Sequence, residues 1–354
     1  MLTNFRKAME KNQKKQMPEV LPFVIPDGER LTTAQVAALV RLRHSFFINP
    51  LTDFGFKKLL ASEENKDILI RFLNAFLSDT IGVITDLTFL PTEHIGISDS
   101  QKVVRFDIYC EIQNGDHIIV EMQNSWQKFY ANRSLMYTSR SLSQSMVSGQ
   151  LLYDIPRTIS FNIMGFNMPE FRGRDGYFWH VQLKDNNNEI FSDRIGLYFV
   201  ELPKFAAQKN SWDFSDERVK WLYAFTHVGA MTEDEFTAVG EAESDPVFRK
   251  FYEECKVSNL TDMEKEKYVK SVLEYEDVQE ALECVRENSL QEGVERGKEE
   301  GRAEGRAEGR AEERTEWLAE RRKIILNMLS RGFDIHTVAD VADMTEDEIR
   351  EITE

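Results

Sequence analysis

Asp107 and Glu121 lie on two segments of alternating polar and apolar residues, separated by a short turn. Even positions Val104, Phe106, Ile108, Cys110, Ile112, Ile118, Val120 and Met122 are apolar. From 105 onward the odd strand positions carry Arg105, Asp107, Tyr109, Glu111, His117, Glu121 and Gln123, with Ile119 the one apolar exception. A period of two predicts a half-buried hairpin. Two turns are open to it. A two-residue Asn114-Gly115 turn puts the two acids on opposite faces, whereas a three-residue Gln113-Asn114-Gly115 loop, closed by glycine in the left-handed region, sets Asp107 opposite Glu121. Only the three-residue loop keeps the apolar set on one face, and it is the reading adopted. Facing carboxylates repel by roughly 0.2–1 kcal/mol. A divalent cation between them would turn that repulsion into a binding site. The bland alternative is a solvated face with acids scattered on it.

The next segment strengthens the chemical reading. From Trp126 to Gln150 there is no Asp or Glu, while Lys128, Arg133 and Arg140 stand among Trp126, Phe129, Tyr130 and Tyr137. Cations and aromatic rings beside two acids suit a phosphodiesterase site, although an ordinary helix with few acids has the same composition. Taken as a total, the formal net charge of −17 opposes a nucleic-acid partner, but it is unevenly spread. Residues 1–45 carry a net +4, residues 46–165 a net −3, and the remainder −18.

These residues need elements to position them. Residues 1–45 read as a basic tail with a short helix from Thr32 to Arg43, capped by Thr32 or Thr33. Asn49 to Asp53 is a turn into a helix, and Lys66 to Phe76 has the spacing of a second. Val83 to Leu90 reads as a strand, followed by the hairpin, then a helix from Lys128 to Ser148 ended by Gly149, then a strand from Arg157 to Met164. Tyr177 to Leu183 and Ile195 to Leu202 are two further strands, which extend the sheet or form an adjunct. The whole spans residues 46–205 as a mixed α/β core. Residues 206–290 read as acidic helices. Residues 291–322 hold Gly293, Gly297, Gly301, Gly305 and Gly309, a glycine at every fourth position among residues that are almost all Arg, Lys, Ala and Glu. This is a marginal helix able to pair closely with another, or a linker. Residues 323–354 form a small helical segment around the turn Arg331-Gly332-Phe333-Asp334, with Thr345 as a cap. DNA-reading helical pairs share that rhythm, but Glu346, Asp347, Glu348 and Glu351 would repel phosphate.

Composition excludes several classes. Hydrophobic content is 42% and charged content 30%, as in globular proteins. No run of about 18 apolar residues predicts a membrane span. The first residues lack the apolar core of a signal peptide, and three cysteines form no metal or disulfide pattern, so a cytoplasmic location is expected. There is no phosphate-binding loop, no nucleophile elbow and no dinucleotide fingerprint. His44, His94 and His117 show no ligand spacing and are expected to be structural or exposed.

Asp107 followed by Glu121-Met122-Gln123 on the next strand is similar to the PD-(D/E)XK nuclease signature. The chain resembles the bacterial transposase-associated branch of that family, the recombination-promoting nucleases. Thr52 to Leu59, Phe72 to Leu77, Phe106 to Cys110, Ile119 to Gln123, Arg133 with Tyr137, Gly149 to Tyr153 with Pro156, and Glu201 to Phe205 carry the likeness, together with the glycine-every-fourth tail. It covers about residues 48 to 310. No single motif is specific; their order and spacing are.

The resemblance implies a restriction-endonuclease-like α/β core, a mixed central sheet flanked by helices, with a helical C-terminal extension. It implies Mg²⁺-dependent endonuclease activity on DNA, with Mn²⁺ as a substitute, in recombination or the movement of mobile elements. By position, Asp107, Glu121 and the carbonyl of Met122 would be metal ligands. Asp53 would help hold the metal site, unless it merely starts a helix. Gln123 takes the place usual for lysine and would orient water with a dipole but no charge. Lys57, Lys58, Lys128, Arg133 and Arg140 are the candidate contacts to DNA. Lys57 or Lys58, about one turn beyond Asp53, could supply the charge that Gln123 lacks or simply lie on a solvated helix. The alternative is a catalytically weak or inactive relative that binds DNA or protein and forms a homo-oligomer through its C-terminal helix.

Overall fold

The order of elements places a six-stranded sheet at the centre of the first of two compact units, residues 1–282 and 283–354. The structure is a computed structural model, and it describes residues 46–94, 104–145, 155–242 and 244–353. The expected basic tail and Thr32–Arg43 helix, and the Gly149 to Tyr153 match, lie outside the described residues.

Helix α1 (Asp53–Leu60) opens the first unit, and α2 (Lys66–Ile81) follows. The chain continues through β1 (Leu87–Phe89), β2 (Glu93–His94), β3 (Val104–Arg105), β4 (Ile108–Ile112), β5 (His117–Gln123), α3 (Tyr130–Gln144), β6 (Thr158–Met164), β7 (Phe178–Lys184) and β8 (Ile190–Glu201). Helices α4 (Leu202–Ala207), α5 (Glu217–His227), α6 (Glu233–Ala242) and α7 (Pro246–Glu254) come next. The sheet runs β1-β4-β5-β6-β8-β7, parallel at β5–β6 and β6–β8 and antiparallel elsewhere. It is a mixed sheet flanked by helices. The strand pair β7–β8 extends it at one edge.

Central strand β6 is buried along its whole length, as a parallel strand covered on both faces must be. One face packs against α2, whose Ile68, Leu69, Phe72, Leu73, Phe76 and Leu77 are buried at helical spacing. Phe72 meets Phe161 of β6 edge-on at 5.5 Å and Phe225 of α5 at 5.2 Å. Helix α3 covers the other face, where Tyr137 packs with Phe106, Tyr109 and Ile119.

Several elements differ from the sequence reading. Helix α2 runs on to Ile81 and stops where Gly82 takes φ +85°. Strand β1 is short because the side chain of Asn74 holds both the N–H and the C=O of Ile84, leaving residues 83–86 outside the sheet. Residues 104–105 pair with β2 in a separate ribbon, and the break before β4 turns Phe106 onto the face of Tyr109 and Ile119. The hairpin is therefore not half-buried: Tyr109, Ile119 and Glu121 on its odd face are buried too. Helix α3 starts at Tyr130, so Lys128 sits on the turn before it.

Helix α1 begins with a cap. The Thr52 hydroxyl accepts from the Gly55 N–H at 3.0 Å, and a Cβ on residue 55 would overlap the carbonyl oxygen of Asn49. The start of α8 (Asp262–Ser330) seats this turn: Asn49 N–H donates to the Tyr268 hydroxyl at 2.7 Å and Phe54 N–H to Ser271 Oγ at 2.9 Å.

In the second unit, α8 carries the five spaced glycines as continuous helix, with open space where their side chains would be. Helices α9 (Ile335–Ala342) and α10 (Glu346–Thr353) pack Val338, Ala339 and Ile349 against Ile325. Thr345 and Glu348 form a reciprocal cap at the start of α10. Among the described residues no helix is long and apolar enough to cross a membrane.

Candidate functional site

The hairpin turn decides which side chains meet. Gly115 has φ +87°, its N–H reaches the Ile112 carbonyl at 2.9 Å, and the Ile112 N–H reaches the Asp116 carbonyl at 2.9 Å. The loop therefore has three residues. Ile108 pairs with Val120 and Glu111 with His117. One step beyond Ile108, Asp107 faces Glu121. Its N–H donates to Glu121 Oε1 at 3.3 Å, and its Oδ2 accepts from the Met122 N–H at 2.9 Å. At Met122 it is thus the N–H that reaches Asp107.

Two cations flank the acids. Lys57 Nζ lies 3.7 Å from Asp107 Oδ1 and 2.6 Å from Asp53 Oδ1. Asp53, largely exposed, touches the site through this lysine. Thr52, not Asp53, is the helix cap. On the other side Arg133 Nη2 lies 3.6 Å from Glu121 Oε2. Its Nη1 donates to Gln127 Oε1 at 2.7 Å and to Gln123 Oε1 at 3.4 Å. The guanidinium lies 4.9 Å from the centre of the Tyr137 ring and 5.7 Å from that of Tyr130. The Gln123 amide nitrogen donates to the carbonyl and hydroxyl of Ser125.

Burial dominates the electrostatics. It pushes the Glu121 carboxyl up to about 8, helped by the Asp107 charge and opposed by Arg133. Burial also raises Asp107; the Met122 N–H, Lys57 and Arg133 oppose it, while Asp53 adds to it. For Lys57, burial acts to lower the pKa, but Asp53 and Asp107 outweigh it and hold the ammonium above its ordinary value. The donors that converge are carboxylate oxygens, which suit a hard divalent cation that keeps several waters. Among the described residues there is no cluster of three or more His, Cys, Asp and Glu that could hold a metal, so any ion here would rest on two carboxylates.

The other candidates stand apart. Lys58 pairs with Glu264 of α8 at 2.8 Å, one helical step out of phase with Lys57. Lys128 is exposed, with its ammonium 5.5 Å from the centre of the Phe129 ring. Arg140 stands seven residues beyond Arg133 on α3. His117 bonds the Tyr109 hydroxyl through Nδ1 at 2.8 Å, a contact that ties the hairpin to Ser141 of α3.

Sequence reasoning missed Gln127, which holds Arg133, and Asn162, which pairs in register with Glu121 on β6. Asn162 accepts from the Tyr130 hydroxyl at 2.9 Å and donates to the Tyr198 carbonyl at 3.0 Å, fixing the first turn of α3 beneath the site. A fully polar amide in the otherwise apolar run Phe161-Asn162-Ile163 was the available signal.

A family model for the PD-(D/E)XK nuclease family transposases matches residues 50–284. No curated protein and no solved structure matches the chain. The matched segment is well over half of the sequence and contains both acids, their flanking cations and the whole central sheet. The chain belongs to the PD-(D/E)XK nuclease family transposases.

Proposed function

We propose that this protein is a metal-dependent DNA endonuclease that hydrolyses phosphodiester bonds in recombination or transposition. The observation that carries this reading is the face-to-face pair of half-buried Asp107 and buried Glu121 between Lys57 and Arg133. Asp107 and Glu121 would hold Mg²⁺, or Mn²⁺ in its place, with the Met122 carbonyl as a further donor. When bound, such an ion supplies Lewis-acid polarisation of the phosphate and a more acidic water.

The protein's own groups have separate tasks. The Arg133 guanidinium presents a planar donor fork to a phosphate oxygen. Gln123 and Gln127 set the plane of that fork. Gln123 therefore serves Arg133 as well as any water near Glu121. Lys57, held by Asp53, brings a second positive charge to the side of Asp107 and takes over the charge that lysine would contribute at position 123. Lys128 on the turn before α3 and Arg140 within it extend the basic track on either side of Arg133, and DNA is the partner. Three free cysteines are consistent with a reducing, cytoplasmic setting.

The test is supercoiled plasmid incubated with each divalent metal. The wild type nicks it with Mg²⁺ or Mn²⁺, and Asp107→Ala or Glu121→Ala abolishes nicking. Undiminished cleavage by either variant would end the proposal.

A second reading is favoured by one observation, that both ends of the Gln123 amide are already occupied by Ser125 and Arg133. In this reading the chain binds DNA or protein without turnover and forms a homo-oligomer through α8. Plasmid retention without nicking, and a subunit count that falls on truncation near residue 290, are its signatures.

A further inference from the structure

The link from β5 to α3 displays two large aromatic rings to solvent. Trp126 is 48% exposed and Phe129 is 65% exposed. Burying a large aromatic ring stabilises a protein, so leaving two largely in water within four residues of chain forgoes a sizeable contribution. Single exposed apolar residues are commonplace and need no account. These two differ in what surrounds them.

First, the backbone beneath them is pinned to the acid pair. Asn124 Nδ2 donates to the Leu51 carbonyl at 2.6 Å. Ser125 takes the Gln123 amide, and Gln127 takes the Arg133 guanidinium, whose other nitrogen faces Glu121. Trp126 is flanked by two residues that touch site groups, and Phe129 ends the turn that starts α3. The rings are thus presented from an ordered scaffold, so less conformational entropy is lost on binding.

Second, the local charge is complementary to phosphate. Lys128 lies between the two rings in sequence, its ammonium over the Phe129 ring at 5.5 Å from the ring centre, and no acid occurs from Trp126 to Gln150 in a chain whose net charge is −17. Exposed aromatic rings alternating with cations form the surface that holds single-stranded nucleic acid, bases stacking on the rings and phosphates lying on the cations. Duplex bases are already stacked on one another and offer the rings no free face.

We infer that Trp126 and Phe129 form a stacking platform for unpaired bases, and that the substrate is DNA with a single-stranded segment beside the bond to be cut. This rests on the phosphodiesterase reading of Asp107 and Glu121 and narrows its substrate class.

The experiment compares binding of a 20-nucleotide oligothymidylate and a duplex of about 20 base pairs, with Ca²⁺ present, by the wild type, Trp126→Ala/Phe129→Ala and Trp126→Phe/Phe129→Tyr. Stacking is worth about 1–3 kcal/mol per base, or roughly 5- to 150-fold in affinity. The alanine pair should lose at least about tenfold on the oligothymidylate and stay within about twofold on the duplex, while the aromatic pair retains single-strand binding. Equal loss on both probes, or no loss on either, overturns the platform; the second result leaves the rings to a protein partner. Circular dichroism of each variant excludes misfolding as the cause. Cleavage assays on the same proteins separate the two claims. Asp107-dependent nicking with unchanged single-strand binding in the alanine pair sinks the platform alone, whereas a wild type that neither binds nor cuts either DNA sinks both.

Discussion

Asp107 and Glu121 are bonded crosswise: the Asp107 N–H donates to the Glu121 carboxylate, and the N–H that follows Glu121, that of Met122, donates to the Asp107 carboxylate. Each acid is positioned by the other's strand, so the pair moves as one body with the hairpin. A shift of register by a single residue would break both bonds and send one acid to the opposite face of the sheet.

Stability should depend on pH through Glu121. Its carboxyl is pushed up to about 8 from an ordinary 4.5, chiefly by burial. A raised folded-state value means that the neutral form is favoured. The associated stability is complete below the unfolded value and is lost as pH rises through about 8. Metal-free protein should therefore melt lower at pH 9 than at pH 6. Glu121→Gln, which cannot ionise, should flatten that dependence and raise the midpoint at pH 9 by a few degrees. Thermal scans in a chelator across this range check it, and a parallel decline in the variant would contradict it.

Arg133 opposes the rise at Glu121. Arg133→Gln should push the Glu121 carboxyl higher and move the alkaline loss of stability to higher pH. It should also cut nicking by about 100-fold, the order expected when a charge-stabilising donor is removed. Arg133→Lys keeps the charge but not the fork to Gln123 and Gln127, and should recover the pH profile more than the rate. Plasmid nicking and melting curves on the two variants distinguish charge from geometry.

Gln123→Lys restores the residue usual in the wider family, yet here it brings an ammonium to a side chain that contacts Arg133 at 3.4 Å. Like-charge repulsion in a partly buried site should destabilise the fold by about 1–2 kcal/mol and lower activity. Urea midpoints and nicking rates test this. A faster variant would argue instead that the native enzyme lacks charge at this position, and would favour the weakly active reading.

Gly55→Ala should be among the most damaging small substitutions. The added methyl would overlap the Asn49 carbonyl and crowd the Thr52 hydroxyl that caps α1. A loss of about 2–3 kcal/mol is expected, with Lys57 displaced from Asp107 as α1 shifts. Normal stability and full activity in this variant would remove α1 from the site.

Much of the hairpin was legible because its signals are local. Alternation and a glycine in the turn specify register within a span of fewer than 20 residues, and Gly115 adopts the left-handed conformation that the three-residue loop requires. Phe106 departs from the alternation because alternation holds only while the strand continues, and the strand is broken at Phe106 and Asp107. Lys57 and Lys58 are equivalent in composition. Which one faces Asp107 depends on the phase of α1, which is set by Tyr268 and Ser271 far along the chain. Helix α3 starts two residues after the Lys128 that local composition suggests, because Lys128 and Phe129 form a turn, and the link before them is held by the bond from Asn124 to Leu51 and by the bonds that Ser125 and Gln127 accept.

The seat of α1 has a consequence for biosynthesis. The bonds from Asn49 to Tyr268 and from Phe54 to Ser271 join residues 219 and 217 positions apart. The acid pair, by contrast, belongs to one hairpin, a structure that closes in about 1–10 μs once its residues are free. A chain leaving the ribosome therefore carries both carboxylates long before it can anchor the helix that bears Lys57. Proteolysis of chains ending before Tyr268 should find α1 cleaved and the hairpin region more protected. The nascent protein holds its acids early and receives its lysine late, so the complete constellation of charges arises only after almost all of the family segment has been made.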